Sequence, residues 1–145
     1  MPLSADNVFI GIYRRLNEDA TLQGAAYLGG TGHVHLTSIR PDGAPLPSVC
    51  LKFWGIEFTN QQKGTAKWLL RVNVYAGKAA NNEPDSTRAQ LIKERVNVLL
   101  ENATFTAATG EIIKVRNPAP LDSASLDPAA NDEIFYVLQY EVTAG

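Results

Sequence analysis

The chain has 145 residues, 45% of them hydrophobic and 19% charged, with a formal net charge of −2. This composition reads as one soluble globular domain, 1–145, large enough to bury a single core without staples. The near-neutral balance argues against a broad electrostatic grip on nucleic acid, no apolar window reaches the ~18 residues of a membrane span, and Cys50, alone, cannot form an internal disulfide.

The start, MPLSADNVFIGIYRRL, lacks a basic stretch ahead of an apolar one, so no secretory signal is expected. It reads as a helix. Ser4 is placed as N-cap with Asp6 in the first turn, and Phe9, Ile12, Tyr13 and Leu16 recur at helical spacing. Gly11 counts against this helix by up to about 1 kcal/mol relative to Ala. Asp19 can start a short turn through Leu22, and Gly29-Gly30 close the unit. GGTG (29–32) precedes a strand, whereas a phosphate loop follows one and opens a helix, so it reads as a turn.

Three strands are expected next. HVHLTSI (33–39) alternates loosely and stops at Pro41. Ser48 to Phe58 sets Val49, Leu51 and Phe53 on one parity and Cys50, Lys52 and Trp54 on the other, with a bulge expected at Gly55. NQQKG (60–64) looks like a hairpin tip. Trp68, Leu70, Val72 and Val74 then give the clearest alternation in the chain. A polar loop, 77–84, leads to a second helix, with Thr87 and Gln90 at capping-box spacing. Its apolar stripe is Ala89, Ile92, Val96, Leu99 and Ala103, with Arg88, Lys93, Glu94 and Glu101 mostly turned away. Phe105–Ala108 and Ile112–Arg116 read as short strands around Gly110. NPAPLDSASLDPAAN (117–131) reads as a long loop, and DEIFYVLQYEV (132–142) as the closing strand.

The expected fold is therefore α+β: a single domain with a largely antiparallel, four- to five-stranded sheet and two helices packed on one face. The closing strand is apolar on both parities. Two helices cover one face of such a sheet and leave the other. That second face carries Leu69, Arg71, Asn73 and Tyr75 beside Phe135, Val137, Gln139 and Glu141, apolar in patches and polar at the edges, as subunit contacts are. A long loop folded over it is the competing reading.

Catalytic signals are weak. His33 and His35 point the same way on a strand, but the spacing supplies no third metal ligand. Cys50 lies in an apolar strand and reads as a buried thiol. No nucleophile elbow, HExxH helix or GxxxxGK[ST] loop occurs. Asp122, Asp127, Asp132 and Glu133 read as a solvated acidic loop. Arg14, Arg15, Arg88, Lys93 and Arg95 read as solvated helix faces open to charge pairing with a neighbour.

Across nearly its whole length the chain resembles the tail-completion, or tail-terminator, proteins of long-tailed bacteriophages and prophages. The resemblance rests on IYRRLNEDATLQGAAYLGG (12–30), on PLPSVCLKFWG (45–55), on WLLRVNVYAGKAANNEPDSTRAQLIKERVNVLL (68–100) and on the closing FYVLQYEV. Ser48 departs from it, standing where the family commonly has an aromatic residue. The resemblance implies a structural virion protein of the tail–neck region, assembled in the host cytoplasm, with no active site and no cofactor or metal. Its copies would form a ring, typically a hexamer, that caps the tail tube and meets the head connector. DNA would pass through the ring without specific binding, and no membrane is involved. On that reading Leu69, Arg71, Tyr75, Phe135 and Val137 are subunit-contact candidates. Asn60, Gln61, Gln62, Lys63, Leu121 and Leu126 are candidates for contact with tube or connector. Another neck or minor tail protein, or a small α+β ligand-binding domain or enzyme, are the alternatives.

Overall fold

Apolar side chains at every second position of 68–74 and at helical spacing in two separate segments specify one layer of helices on one sheet. The computed structural model describes residues 5–37, 41, 43–60, 65–75, 77, 85–110, 112–116, 123–124 and 134–144. Its elements run α1 (Ala5–Asn17), β1 (Val34–His35), β2 (Ser48–Asn60), β3 (Thr65–Tyr75), α2 (Ser86–Leu100), β4 (Thr104–Thr106), β5 (Ile112–Arg116), β6 (Ser123–Ala124) and β7 (Ile134–Ala144). The fold is α+β. Its sheet has seven strands rather than four or five, in the order β1-β2-β3-β7-β5-β4 with β6 beside β7. The strand with no expected counterpart is β6, beside β7; β1, β4 and β6 have two or three residues each. Within the predicted strand 33–39, of which 38–39 lie outside the described residues, Val34–His35 form β1 and pair parallel with Val49 and Cys50; the other pairings described are antiparallel.

Register follows the apolar alternation. Trp68, Leu70, Val72 and Val74 stand opposite Val142, Tyr140, Leu138 and Tyr136. Leu51 opposes Val72, and Val115 opposes Val142. A bulge falls between Phe53 and Gly55, so that Ile56 and not Gly55 stands opposite Trp68. The extra residue shifts the pairing register by one. Against this face pack Val8, Ile12 and Leu16 of α1 and Ile92, Val96, Leu99 and Leu100 of α2. Burying a side chain of that size contributes about 1.5–3 kcal/mol. Gly11 has a packing reason: a Cβ there would come within 2.8 Å of Ile113 Cδ1 and 3.4 Å of Ala107 Cβ. Helix α1 lies too close to the β4–β5 turn for a side chain at that point.

The caps differ in part from expectation. Helix α2 is capped by Asp85, whose carboxylate accepts from Arg88 N at 3.2 Å, and Thr87 lies inside the helix. It ends at Leu100, because Glu101 turns extended and Asn102 takes a left-handed φ of 52°. Ala103 thus follows the helix, and its carbonyl accepts from Val115 N at 2.8 Å. The Asp19 turn forms as read: Asp19 Oδ2 accepts from Leu22 N at 2.8 Å.

Charged side chains bind the helical layer together. Arg95 donates to both carboxylate oxygens of Asp19, each at 2.8 Å. Arg88 Nε donates to the Tyr27 carbonyl. Arg15 Nε donates to the Leu99 carbonyl at 2.6 Å, and its guanidinium lies 4.7 Å from the Phe105 ring centre. Hydrogen bonding from Arg95 holds the Asp19 carboxyl below the ordinary aspartate range, with burial opposing and Leu22 N assisting. A carboxyl with a lowered folded pKa contributes stability that is complete above its unfolded pKa and is lost as pH falls through the folded one. Asp19→Ala removes the turn cap and the two-pronged pair, and is expected to cost about 1–2 kcal/mol at neutral pH. Urea denaturation at a series of pH values is expected to show the parent's advantage shrinking as pH drops below the ordinary aspartate range.

Candidate interaction surface

The sheet face turned away from the helices can be followed in ranks across β5, β7, β3 and β2, using the strand register. Lys114, Thr143 and Lys67 form one rank. Arg116, Glu141 and Leu69 form the next. Gln139, Arg71 and Lys52 follow, then Val137, Asn73 and Cys50, and last Tyr75 and Ser48.

The first three ranks are open. Leu69 is 51% exposed, Lys52, Lys114 and Arg116 are exposed, and Arg71, Gln139 and Glu141 are half-buried. Ile112, by alternation on the same face, is also exposed. Lys67 Nζ lies 3.3 Å from Glu141 Oε2. A depression of about 240 Å³ lies between Leu69, Arg71 and Gln139.

The last two ranks are closed by the chain's own fold: Asn73, Cys50, Ser48 and Tyr75 are buried, Tyr75 completely. Near this end the Leu46–Pro47 bond is cis, the Ser48 hydroxyl donates to the Pro45 carbonyl, and His33 Nδ1 lies 2.7 Å from the Pro47 carbonyl. A second bulge, between Val74 and Tyr75, brings Ile134 opposite Tyr75.

Of the expected contact residues, Leu69 and Arg71 therefore sit side by side on open surface, and Val137 is half-buried one rank further on. Tyr75 is corrected: a side chain already sealed inside the monomer has no area to offer a neighbour. Phe135 lies in β7, but its side chain is outside the described residues, as are Gln61, Gln62, Lys63, Leu121 and Leu126. Asn60 pairs with Thr65, which frames a hairpin at the predicted tip. Of the 117–131 loop, Ser123 and Ala124 are described. They pair with Val137 and Tyr136 in the plane of the sheet rather than above it.

The basic rim of this face was missed in the sequence. Lys114 and Arg116 reach it only because β5 docks against β7, a placement that alternation within IIKVR does not reveal. Of the five helical cations, Arg14 is exposed and the other four go the other way. Arg15, Arg88 and Arg95 make the contacts described above, and Lys93 Nζ lies 4.7 Å from the Tyr136 ring centre. They fasten the fold and do not form a patch open to a neighbour.

The strand edge adds a second open feature. Beyond Cys50, β2 runs ten residues further, to Asn60, with no ladder on its outer side among the described residues. Unpaired strand edges of this length invite pairing with another chain.

Candidate chemical sites give less. A groove of about 510 Å³ opens beside Gly11, Arg14, Glu18 and Phe105. Two of its charged groups, Arg15 and Asp19, are held in the internal contacts described above. Among the described residues no three His, Cys, Asp or Glu side chains gather as a metal site, and no helix is long and apolar enough to cross a membrane. Neither a protein-family model nor a curated protein matches the chain.

The two kinds of residue on this face are expected to respond differently to the same change. Tyr75→Asp buries an unpaired charge and is expected to cost more than about 3 kcal/mol. Leu69→Asp should cost about 1 kcal/mol or less, since the site is open to water. Urea titrations of both variants check this.

Proposed function

We propose that the chain is a structural assembly subunit that caps the end of a phage tail tube as a closed ring, likewise meeting the head connector. The reading rests on the half-open sheet face. Three ranks of a well-ordered ladder end in water with an exposed leucine at their centre, although the opposite face is fully packed. Such a surface suits burial against another protein. The β2 edge, which beyond Cys50 has no ladder on its outer side among the described residues, supports the same reading, and the resemblance to tail-terminator proteins supplies the setting.

Capping needs no catalysis. A growing tube end presents contact surface to its next subunit. A ring that binds this end without offering the same surface on its far side stops addition. Each subunit can bind weakly, because linked contacts around a ring multiply. A ring also needs two different surfaces on each subunit, one meeting the other on the next copy. Particles assembled without this chain are expected to carry tubes of uncontrolled length that fail to join heads. Normal tube lengths in its absence, measured by electron microscopy, would overturn the reading.

A further inference from the structure

The outer surface of α2 completes a pattern that the sheet face begins. Along the side of α2 turned away from the core run Gln90, Glu94, Val98 and Glu101, all exposed, with Val98 66% exposed. The helix cations are drawn off this stripe: Arg88 to Tyr27, Lys93 to the Tyr136 ring and Arg95 to Asp19. The two carboxylates are held in place by neighbours one turn earlier. Gln90 Nε2 donates to Glu94 Oε1 at 3.2 Å, and Asn97 Nδ2 donates to Glu101 Oε2 at 3.0 Å. Asn97 is itself fixed from within, because the hydroxyl of buried Tyr140 donates to its Oδ1 at 2.8 Å. The stripe is thus an exposed valine between two ordered carboxylates.

On the other side of the molecule, the open ranks place Leu69 among Lys52, Lys67, Arg71, Lys114 and Arg116, five of the chain's 13 Lys and Arg. Among the described residues, Glu141, paired with Lys67, and Glu57, at the register position opposite Lys67, are the acidic residues placed there. Each surface has an apolar centre and a charged rim, and the rims have opposite sign. That is the arrangement of a protein contact whose register is set by charge.

We propose that the outer sheet face of one copy binds the outer stripe of α2 on the next, head to tail, with Leu69 against Val98 and the Lys114–Arg116 rim against Glu94 and Glu101. The contact rests on the reading of the chain as a self-assembling subunit and names the two surfaces that meet. Because those surfaces differ, the contact is heterologous and extends to a ring or a filament, not to an isolated pair.

Sedimentation velocity of the full chain and its charge reversals tests it. The parent is expected to self-associate with rising concentration, more weakly at high salt because the rims are screened. Lys114→Glu with Arg116→Glu, and separately Glu94→Lys with Glu101→Lys, should each weaken association about tenfold or more by setting like charges together. Both double variants should fold like the parent, since all four side chains are exposed. An equimolar mixture of the two variants restores opposite charges at every contact and should restore association, as should all four changes in one chain. Reversals that associate like the parent, or a mixture that stays dissociated, would overturn the contact and leave capping standing. A parent monomeric throughout would also overturn it, and tube length decides capping separately.

Discussion

Two helices of 13 and 15 residues, about 20 Å long each, can lie across only one side of this sheet. The rest of the structure depends on that shortage of cover. The helices take the face with the regular apolar alternation and are fixed to it and to each other by buried side chains and by arginines that reach backbone carbonyls and Asp19. Once placed, they have nothing left for the reverse side. Two ranks there are nonetheless buried within the monomer, and three ranks stay open to water.

This division gives the molecule two unlike sides. One is a helix surface on which Arg15, Arg88, Lys93 and Arg95 make contacts within the fold while Glu94 and Glu101 are exposed. The other is a sheet surface on which Lys52, Lys114 and Arg116 are exposed. The whole-chain net charge of −2 does not reveal this separation. Assembly by unlike surfaces follows more readily from such a molecule than pairing of identical faces, which would set like charges together.

The parts of the fold legible in the sequence are those written in local periodicity. The β3 alternation, both helices, the Asp19 turn and the Gly55 bulge all follow from residues near one another in the chain. What escaped depends on distance. Parity assigns Tyr75 to the outer face correctly, but parity does not say how far along a strand that face stays open. Its burial comes from where neighbouring segments return. Asp19 meets Arg95 across 76 positions, so only the turn half of its role was visible. Asp85 was overlooked because Thr87 and Gln90 offered a familiar capping pattern two residues later. The basic rim needed β5 to be placed beside β7, and no spacing in IIKVR carries that information.

The central claim is that the open ranks are covered by neighbouring protein in the working assembly. Lysine-reactive footprinting of the chain in its native assembly, against the isolated chain, tests it most directly. The account predicts that Lys67 and Lys114 lose reactivity on assembly. Equal reactivity of both lysines in the two states would contradict it.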